Sequence, residues 1–158
     1  MNKFNRMKEF KSAEDILNFA IKDEQRAADL YAGLAQKSRN REMRKVFEQF
    51  SKEELGHKKK LENIKAGGEV VMSDKKVMDL RIGDYLVDVD TSREDLSYQD
   101  ALIIAMKEEK AAFKLYSDLA SGTGNASLKE IFLMLAQEEA RHKLRFEIEY
   151  DDHILKEN

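Results

Sequence analysis

The sequence repeats itself at an offset of 85 residues, and this repeat limits the folds that the chain can adopt. Residues 20–35 align with residues 105–120 without a gap, and half of the 16 aligned positions are identical. The same offset pairs Ser12 with Ser97, and each of them begins a Ser-x-x-Asp pattern that can cap the first turn of a helix. We therefore expect two copies of one helical unit.

The composition favours helices and excludes several classes of function. The chain has 158 residues, no proline and 37% charged residues, as long helices with solvated outer faces require. A net charge of −3 arises from mixed acids and bases, which argues against a nucleic-acid partner. Since no cysteine is present, disulfides, zinc–thiolate sites and iron–sulfur clusters are excluded.

The segmentation of the chain predicts an all-α protein with one domain over residues 1–158. No apolar run approaches the roughly 20 residues needed to cross a membrane, and the start of the chain lacks a continuous apolar segment after its charges. We therefore expect a cytoplasmic protein without a membrane partner. Four helices are predicted, at about 13–37, 41–66, 98–121 and 126–155.

The connections between these helices predict two antiparallel hairpins that form a four-helix bundle. The turns inside each hairpin are short, whereas a crossover at about 67–97 is long enough to run the length of a bundle, so that the second and third helices can lie parallel. Residues 79–87 within it alternate weakly and fit either an extended segment or a short helix packed on the bundle.

Each helix has an apolar stripe at three- and four-residue steps, and ionisable residues interrupt every stripe near mid-helix. Two helices contribute one glutamate each, and the other two contribute a Glu-x-x-His pair each. Packing of the hairpins should bring all of these side chains to about one level of the core. The six residues are Glu24, Glu54, His57, Glu109, Glu139 and His142.

Four carboxylates in an apolar interior would each suffer a desolvation cost, and their repulsion would raise their pKa values. Two divalent cations would balance the four negative charges, and the two imidazoles would supply neutral nitrogen ligands. The pattern therefore predicts a site for two metal ions. The alternative is a metal-free network of Glu, His and Tyr side chains that fixes the register of the bundle.

These motifs resemble those of the ferritin-like di-iron carboxylate proteins, and within them the rubrerythrin-like branch. The resemblance covers all four helices and rests on Glu24 with Tyr31, Glu109 with Tyr116, and the two Glu-x-x-His pairs. It implies a ferritin-like bundle that holds two iron ions, with manganese or zinc as possible substitutes. It also implies that Glu54 and Glu139 bridge the irons, that Glu24 and Glu109 are terminal ligands, and that His57 and His142 bind one iron each.

The sequence also departs from the usual rubrerythrin pattern. Rubrerythrins usually carry an extra carboxylate near the site and a cysteine-rich electron-transfer domain. Here Ala27 and Ala112 stand one turn after the glutamates of the first and third helices, and there is no cysteine. The resemblance is therefore to the di-iron domain alone, and electrons for turnover would come from a separate donor.

Several residues near the six have two open interpretations. Tyr31 and Tyr116 are candidate catalytic residues that either bond a metal ligand or bound oxygen, or pack in the core with a satisfied hydroxyl. Four acidic residues precede the inward glutamates, and we favour a solvated helix face for them over hydrogen bonds to the histidines. They are Asp23, Glu53, Glu108 and Glu138; His153 in the tail is expected at the surface.

The resemblance implies an oxidoreductase that reduces peroxide or oxidises Fe(II) at the paired metals, with peroxide or dioxygen as its small oxidant. We expect a homodimer. An iron-binding or storage protein with a ferroxidase-type centre is the alternative. A hydroxylase would require a substrate channel or a basic surface, which the weakly acidic composition does not favour for a nucleic acid.

Overall fold

The computed structural model describes residues 9–87 and 96–157, and all of its long elements are α-helices. Two hairpins of long helices pack against each other, and the predicted all-α architecture of four long helices in two hairpins is confirmed. A short helix and a 3₁₀ turn lie in the connection between the hairpins. The elements are α1 (Ala13–Lys37), α2 (Arg41–Gly67), α3 (Asp74–Asp79), the 3₁₀ turn (Ile82–Tyr85), α4 (Tyr98–Gly122) and α5 (Ala126–Glu157).

The first helix of each hairpin begins with the same side-chain cap. The Ser12 hydroxyl accepts a hydrogen bond from the Asp15 backbone N–H at 3.2 Å, and the Ser97 hydroxyl accepts one from the Asp100 N–H at 3.0 Å. Each bond satisfies one of the four N–H groups that a helix start leaves without a partner. The repeat in the sequence is thus a repeat of helix starts.

The second helix of each hairpin is capped by an asparagine, again at an offset of 85 residues. The Asn40 side chain accepts from the Glu42 and Met43 N–H groups, and the Asn125 side chain accepts from the Leu128 N–H at 3.1 Å. At the other end of α2, Gly68 has a φ of 67°, the left-handed conformation that ends many helices and that glycine adopts without strain.

The core consists of two apolar clusters with the ionisable layer between them. One cluster contains Ala20, Leu61, Leu115 and Leu135, and the second contains Ala27. In the second cluster, α1, α2, α4 and α5 contribute Leu34, Phe47, Leu102 and Phe146 respectively. The six ionisable residues fall between these groups in all four helices, so apolar side chains separate them from both ends of the bundle.

The crossover packs on the bundle through α3 and the 3₁₀ turn, so residues 79–87 are helical or irregular and not extended. Tyr85 is buried, its ring stacks on Phe10 at 6.2 Å, and its hydroxyl donates to Asp118 Oδ2 at 2.7 Å. These contacts hold the crossover against α4. Residues 88–95 of the predicted crossover, and residues 1–8 at the start of the chain, lie outside the described residues.

Across the described ranges, no helix is long and apolar enough to cross a membrane. The assignment of residues 1–158 to one domain stays a prediction.

Candidate metal centre

The structure brings the six inward residues of the four long helices together in one buried layer. Each is at most 3% exposed to solvent. They come from the middle of α1, α2, α4 and α5, and the apolar residues one turn before and after them hold them there. The residues are Glu24, Glu54, His57, Glu109, Glu139 and His142.

These side chains form two overlapping groups of four, and each group could hold a metal ion. In each group the four potential ligand atoms lie within 4.8 Å of one another. Glu54 and Glu139 belong to both groups. Glu24 and His57 complete the first group, and Glu109 and His142 complete the second.

Seven oxygen and nitrogen atoms of this layer are buried and, although some lie close to one another, make no well-aligned hydrogen bond among the described residues. Unsatisfied buried polar atoms are rare in folded proteins, because each costs free energy. Carboxylate oxygens and imidazole nitrogens are also the donors that divalent transition metals accept. The residues therefore fit a metal pair. The atoms are Glu24 Oε2, both oxygens of Glu54, His57 Nδ1, Glu109 Oε2, Glu139 Oε1 and His142 Nδ1.

The two imidazoles turn the same nitrogen toward the carboxylates. His57 Nδ1 lies 2.8 Å from Glu139 Oε1, and His142 Nδ1 lies 2.7 Å from Glu54 Oε1. The opposite nitrogens face outer acids, since His57 Nε2 contacts Glu138. Donation by Nε2–H to an outer carboxylate leaves the Nδ1 lone pair available to a metal ion.

The outer partner of each histidine comes from the other hairpin. Glu138 on α5 contacts His57 on α2, whereas Glu53 on α2 lies 3.5 Å from His142 Nε2 on α5. The sequence favours a solvated helix face for these two acids, but each is only partly exposed and contacts a histidine, so this expectation is wrong and the alternative of a hydrogen bond to the imidazole is supported. The repeat contained a signal for these contacts. Glu53 and Glu138 occupy equivalent positions, each three residues after a buried apolar residue and four residues before a histidine.

The hydroxyl groups of Tyr31 and Tyr116 also form hydrogen bonds from one hairpin to the other. Tyr31 on α1 donates to Glu109 on α4, and Tyr116 on α4 donates to Glu24 on α1. Burial and the neighbouring carboxylates raise the pKa of both phenols well above the ordinary value, so both hydroxyls remain donors. Of the two interpretations of these tyrosines, the structure supports a hydrogen bond to an inward glutamate.

Burial is the largest influence on the inward carboxyl groups. It raises the pKa values of Glu54 and Glu139 well above the ordinary value, and repulsion from neighbouring carboxylates adds to this effect. Burial likewise raises the pKa of Glu109, to about 8. Without a cation, the layer therefore retains protons on several carboxyl groups at neutral pH.

Glu24 and the two histidines respond differently to burial. For Glu24 the burial effect is outweighed by hydrogen bonds and by the charge of His57, so its pKa is lowered. For His57 burial is outweighed by Glu139 and Glu24, which raise its pKa to about 11. Burial lowers the pKa of His142. The metal-free layer is thus held together by protons and by one imidazolium.

The acids before the α1 and α4 glutamates also differ from expectation. Glu108 is only 7% exposed and accepts a hydrogen bond from Arg26, so it does not lie on a solvated face. Asp23 is partly buried, and its Oδ1 lies 3.7 Å from the Arg26 guanidinium. The repeat gives no signal for Arg26, since the equivalent position is Ala111.

The two histidines are supported differently. The Phe50 ring stacks on His142 at 4.0 Å. The Arg141 guanidinium donates to Glu53 and lies over the Phe50 ring at 5.6 Å. The repeat places Leu135 and Gly56 where the second hairpin's histidine has Phe50 and Arg141. The third histidine, His153, lies away from the layer. It was expected at the surface, but it is half-buried against the Tyr98 ring.

The arrangement is similar to that of known ferritin-like proteins. A structure from Thermotoga maritima, described as a ferritin-like diiron-carboxylate protein, aligns with a TM-score of 0.76 at 24% identity, over 92% of this chain and 98% of that one. A hypothetical protein from Pyrococcus furiosus aligns with a TM-score of 0.64 at 25% identity, over 86% of each chain. The predicted ferritin-like fold is therefore confirmed.

The family assignment comes from comparison of the sequence with known families. No curated protein matches the chain. The rubrerythrin family model, however, matches residues 15–150, which include all of α2 and α4, most of α1 and α5, and the complete ionisable layer. The resemblance seen in the motifs is thereby confirmed, and the chain belongs to the rubrerythrin family of ferritin-like proteins.

Proposed function

We propose that the protein is a non-haem di-iron oxidoreductase that reduces peroxide or oxidises Fe(II) at a carboxylate-bridged pair of irons. The observation that carries this proposal is the convergence of seven unsatisfied, buried donor atoms within two overlapping groups of four residues. Family membership supports the choice of iron, although manganese and zinc accept the same donor types.

The charges of the layer favour two divalent ions over one. Four ionised carboxylates carry four negative charges, and two divalent ions balance them if both imidazoles are neutral. A single ion would leave two negative charges in an apolar interior, where desolvation makes them costly. Metal binding would therefore displace the protons that the metal-free layer holds.

The overlap of the two groups suggests a part for each residue. Glu54 and Glu139 belong to both groups and would bridge the ions. Glu24 with His57 would hold one ion, and Glu109 with His142 would hold the other.

The remaining contacts would keep these donors in place during turnover. Tyr31 and Tyr116 each occupy one oxygen of a terminal glutamate and leave the second oxygen of that carboxylate without a hydrogen bond. Glu138 and Glu53 orient the imidazoles. The apolar clusters on both sides shield the layer from water at the two ends of the bundle. When bound, a pair of Fe(II) ions supplies two electrons, which with two protons reduce one hydrogen peroxide to two waters.

Two further parts of the proposal concern partners. We infer a separate electron donor, since nothing in the cysteine-free chain provides a thiolate-bound iron. We also infer a homodimer, and the exposed apolar residues Leu144 and Ile148 on one side of α5 support an association surface. Light scattering of the purified protein would test the dimer.

An anaerobic titration tests the function directly. Metal-free protein is titrated with Fe(II), and one equivalent of hydrogen peroxide is then added while the absorption spectrum is recorded. We expect saturation at two irons per chain and rapid appearance of di-ferric absorption. Tight binding without rapid oxidation would instead favour the storage alternative. Absence of binding would reject the metal site and support the alternative of a metal-free structural network.

A further inference from the structure

A small cavity adjoins the ionisable layer between α1 and α4. Its volume is about 20 Å³, and it is lined by three of the four inward glutamates, by Asp23 of α1, by Glu108 and other side chains of α4, and by the crossover. A space of this size holds about one water molecule. The glutamates in its wall are Glu24, Glu54 and Glu139, all members of the first group of four.

Two alanines of α4 form part of the wall, and only one of them is also an alanine in the first half of the repeat. Ala112 is equivalent to Ala27, which is buried in the second apolar cluster. Ala111 is equivalent to Arg26, whose guanidinium contacts Asp23 and Glu108. An alanine at position 111 leaves the room that the arginine side chain takes up in the first hairpin.

The crossover completes the wall. Tyr85 lines the cavity, and its hydroxyl bond to Asp118 together with its stacking on Phe10 fixes the position of the ring. Tyr116, whose hydroxyl bonds Glu24, lines the cavity from within the core. The walls are therefore held by packing and hydrogen bonds, and the space is small because of fixed side chains.

We propose that this cavity admits the small oxidant to the metal position held by Glu24 and His57, and that Ala111 and Ala112 set its size limit. The inference rests on the proposed function. Ligands of two heavy atoms, such as dioxygen and hydrogen peroxide, are the substrates nearest in size to this water-sized space, whereas alkyl hydroperoxides with a bulky organic group far exceed it.

Nitric oxide is a suitable probe, because it is diatomic and its binding to Fe(II) is seen in the absorption spectrum without any turnover. The test compares wild type, Ala112→Leu and Ala111→Leu, each loaded anaerobically with Fe(II). Ala140→Leu is the matched control: Ala140 is also a half-buried helical alanine next to an inward glutamate in sequence, but it does not line the cavity. Iron per chain is measured for every variant before nitric oxide is added.

We expect Ala112→Leu to bind two irons and to bind nitric oxide about tenfold more weakly than wild type, because overpacking closes the space. Ala140→Leu should match wild type in both measurements. Wild type should also oxidise rapidly with hydrogen peroxide and slowly with cumene hydroperoxide. If Ala112→Leu prevents iron binding, the Ala111→Leu result decides, since the repeat accommodates a long side chain, Arg26, at the equivalent position.

Unchanged nitric oxide affinity in iron-loaded Ala112→Leu, or in iron-loaded Ala111→Leu where that variant decides, would overturn the inference and leave the proposed function standing. Equal rates with both peroxides in wild type would overturn it as well. Failure of wild type to bind iron would be a different result, because it would reject the proposed function itself.

Discussion

Tyr31 of the first hairpin donates its hydroxyl hydrogen bond to Glu109 of the second, and Tyr116 returns the same bond to Glu24. The contacts between Glu138 and His57 and between Glu53 and His142 cross in the same way. Neither hairpin therefore completes its own half of the ionisable layer. The site exists only when the two hairpins are docked, so metal binding and hairpin docking should be coupled.

Removal of one tyrosine hydroxyl should weaken that docking. We expect Tyr31→Phe to lower the free energy of unfolding of the metal-free protein by about 1–3 kcal/mol, since a buried carboxyl group loses its hydrogen-bond donor. Tyr98→Phe is the control, because Tyr98 donates to Glu149 at 2.6 Å in a partly buried place away from the layer. Urea unfolding measures both, and an equal loss in the two variants would show that the Tyr31 bond has no special part.

Removal of a glutamate shared by both groups of four should reduce metal binding far more than removal of a surface glutamate. We expect Glu54→Ala or Glu139→Ala to abolish paired-metal binding, because each belongs to both groups of four. Glu62→Ala, on the exposed face of α2, should keep two ions per chain. Metal analysis after gel filtration would reject the bridging assignment if Glu54→Ala retained two tightly held ions.

The outer acids should tune metal affinity unequally. Glu138 contacts His57 closely, whereas Glu53 lies 3.5 Å from His142 and is also bonded to Arg141. We expect Glu138→Ala to lower metal affinity about 10- to 100-fold, as loss of a ligand's outer partner does elsewhere, and Glu53→Ala to have a smaller effect.

Competition with a chelator would measure these affinities. Glu147→Ala is a suitable control, because Glu147 pairs only with Lys143 on the surface of α5 among the contacts seen in the described structure. A larger loss from Glu53→Ala than from Glu138→Ala would contradict the predicted order.

The metal-free protein should lose stability as the pH rises through neutrality. The folded-state pKa of Glu109 is raised from 4.5 to about 8, and that of His57 from 6.5 to about 11. The folded state therefore binds more protons than the unfolded state between these values, and the resulting stability is lost as pH rises toward the folded pKa. The raised pKa values of Glu54 and Glu139 act in the same direction.

The lowered pKa values of Glu24 and His142 act in the opposite direction. At pH 6.5 unfolded Glu24 is already deprotonated and unfolded His142 is half deprotonated, so their remaining effect above this pH is small beside those of Glu109 and His57. Melting temperatures of metal-free protein should therefore fall from pH 6.5 to pH 8. Zinc-loaded protein should fall less, because the metal replaces the protons. An equal fall in both samples would show that the layer does not titrate as described.

The sequence by itself determined the helices, their caps and the identity of the inward residues, because all of these depend on local spacing. A Ser-x-x-Asp start or a Glu-x-x-His pair on an apolar stripe acts within one or two turns of one helix. The offset of 85 residues then showed that the two hairpins are alike, from which two groups of metal ligands could be anticipated.

Only the tertiary structure decided which residues meet across the two hairpins. Whether Glu138 reaches His57 or solvent depends on the rotation and axial position of α5 against α2, which no pattern within one helix specifies. The same holds for the cavity beside Ala111 and Ala112, whose size depends on how α1, α4 and the crossover pack. Local periodicity fixes which face of a helix is buried, whereas contacts of a few ångströms between helices are set by the packing of all of them together.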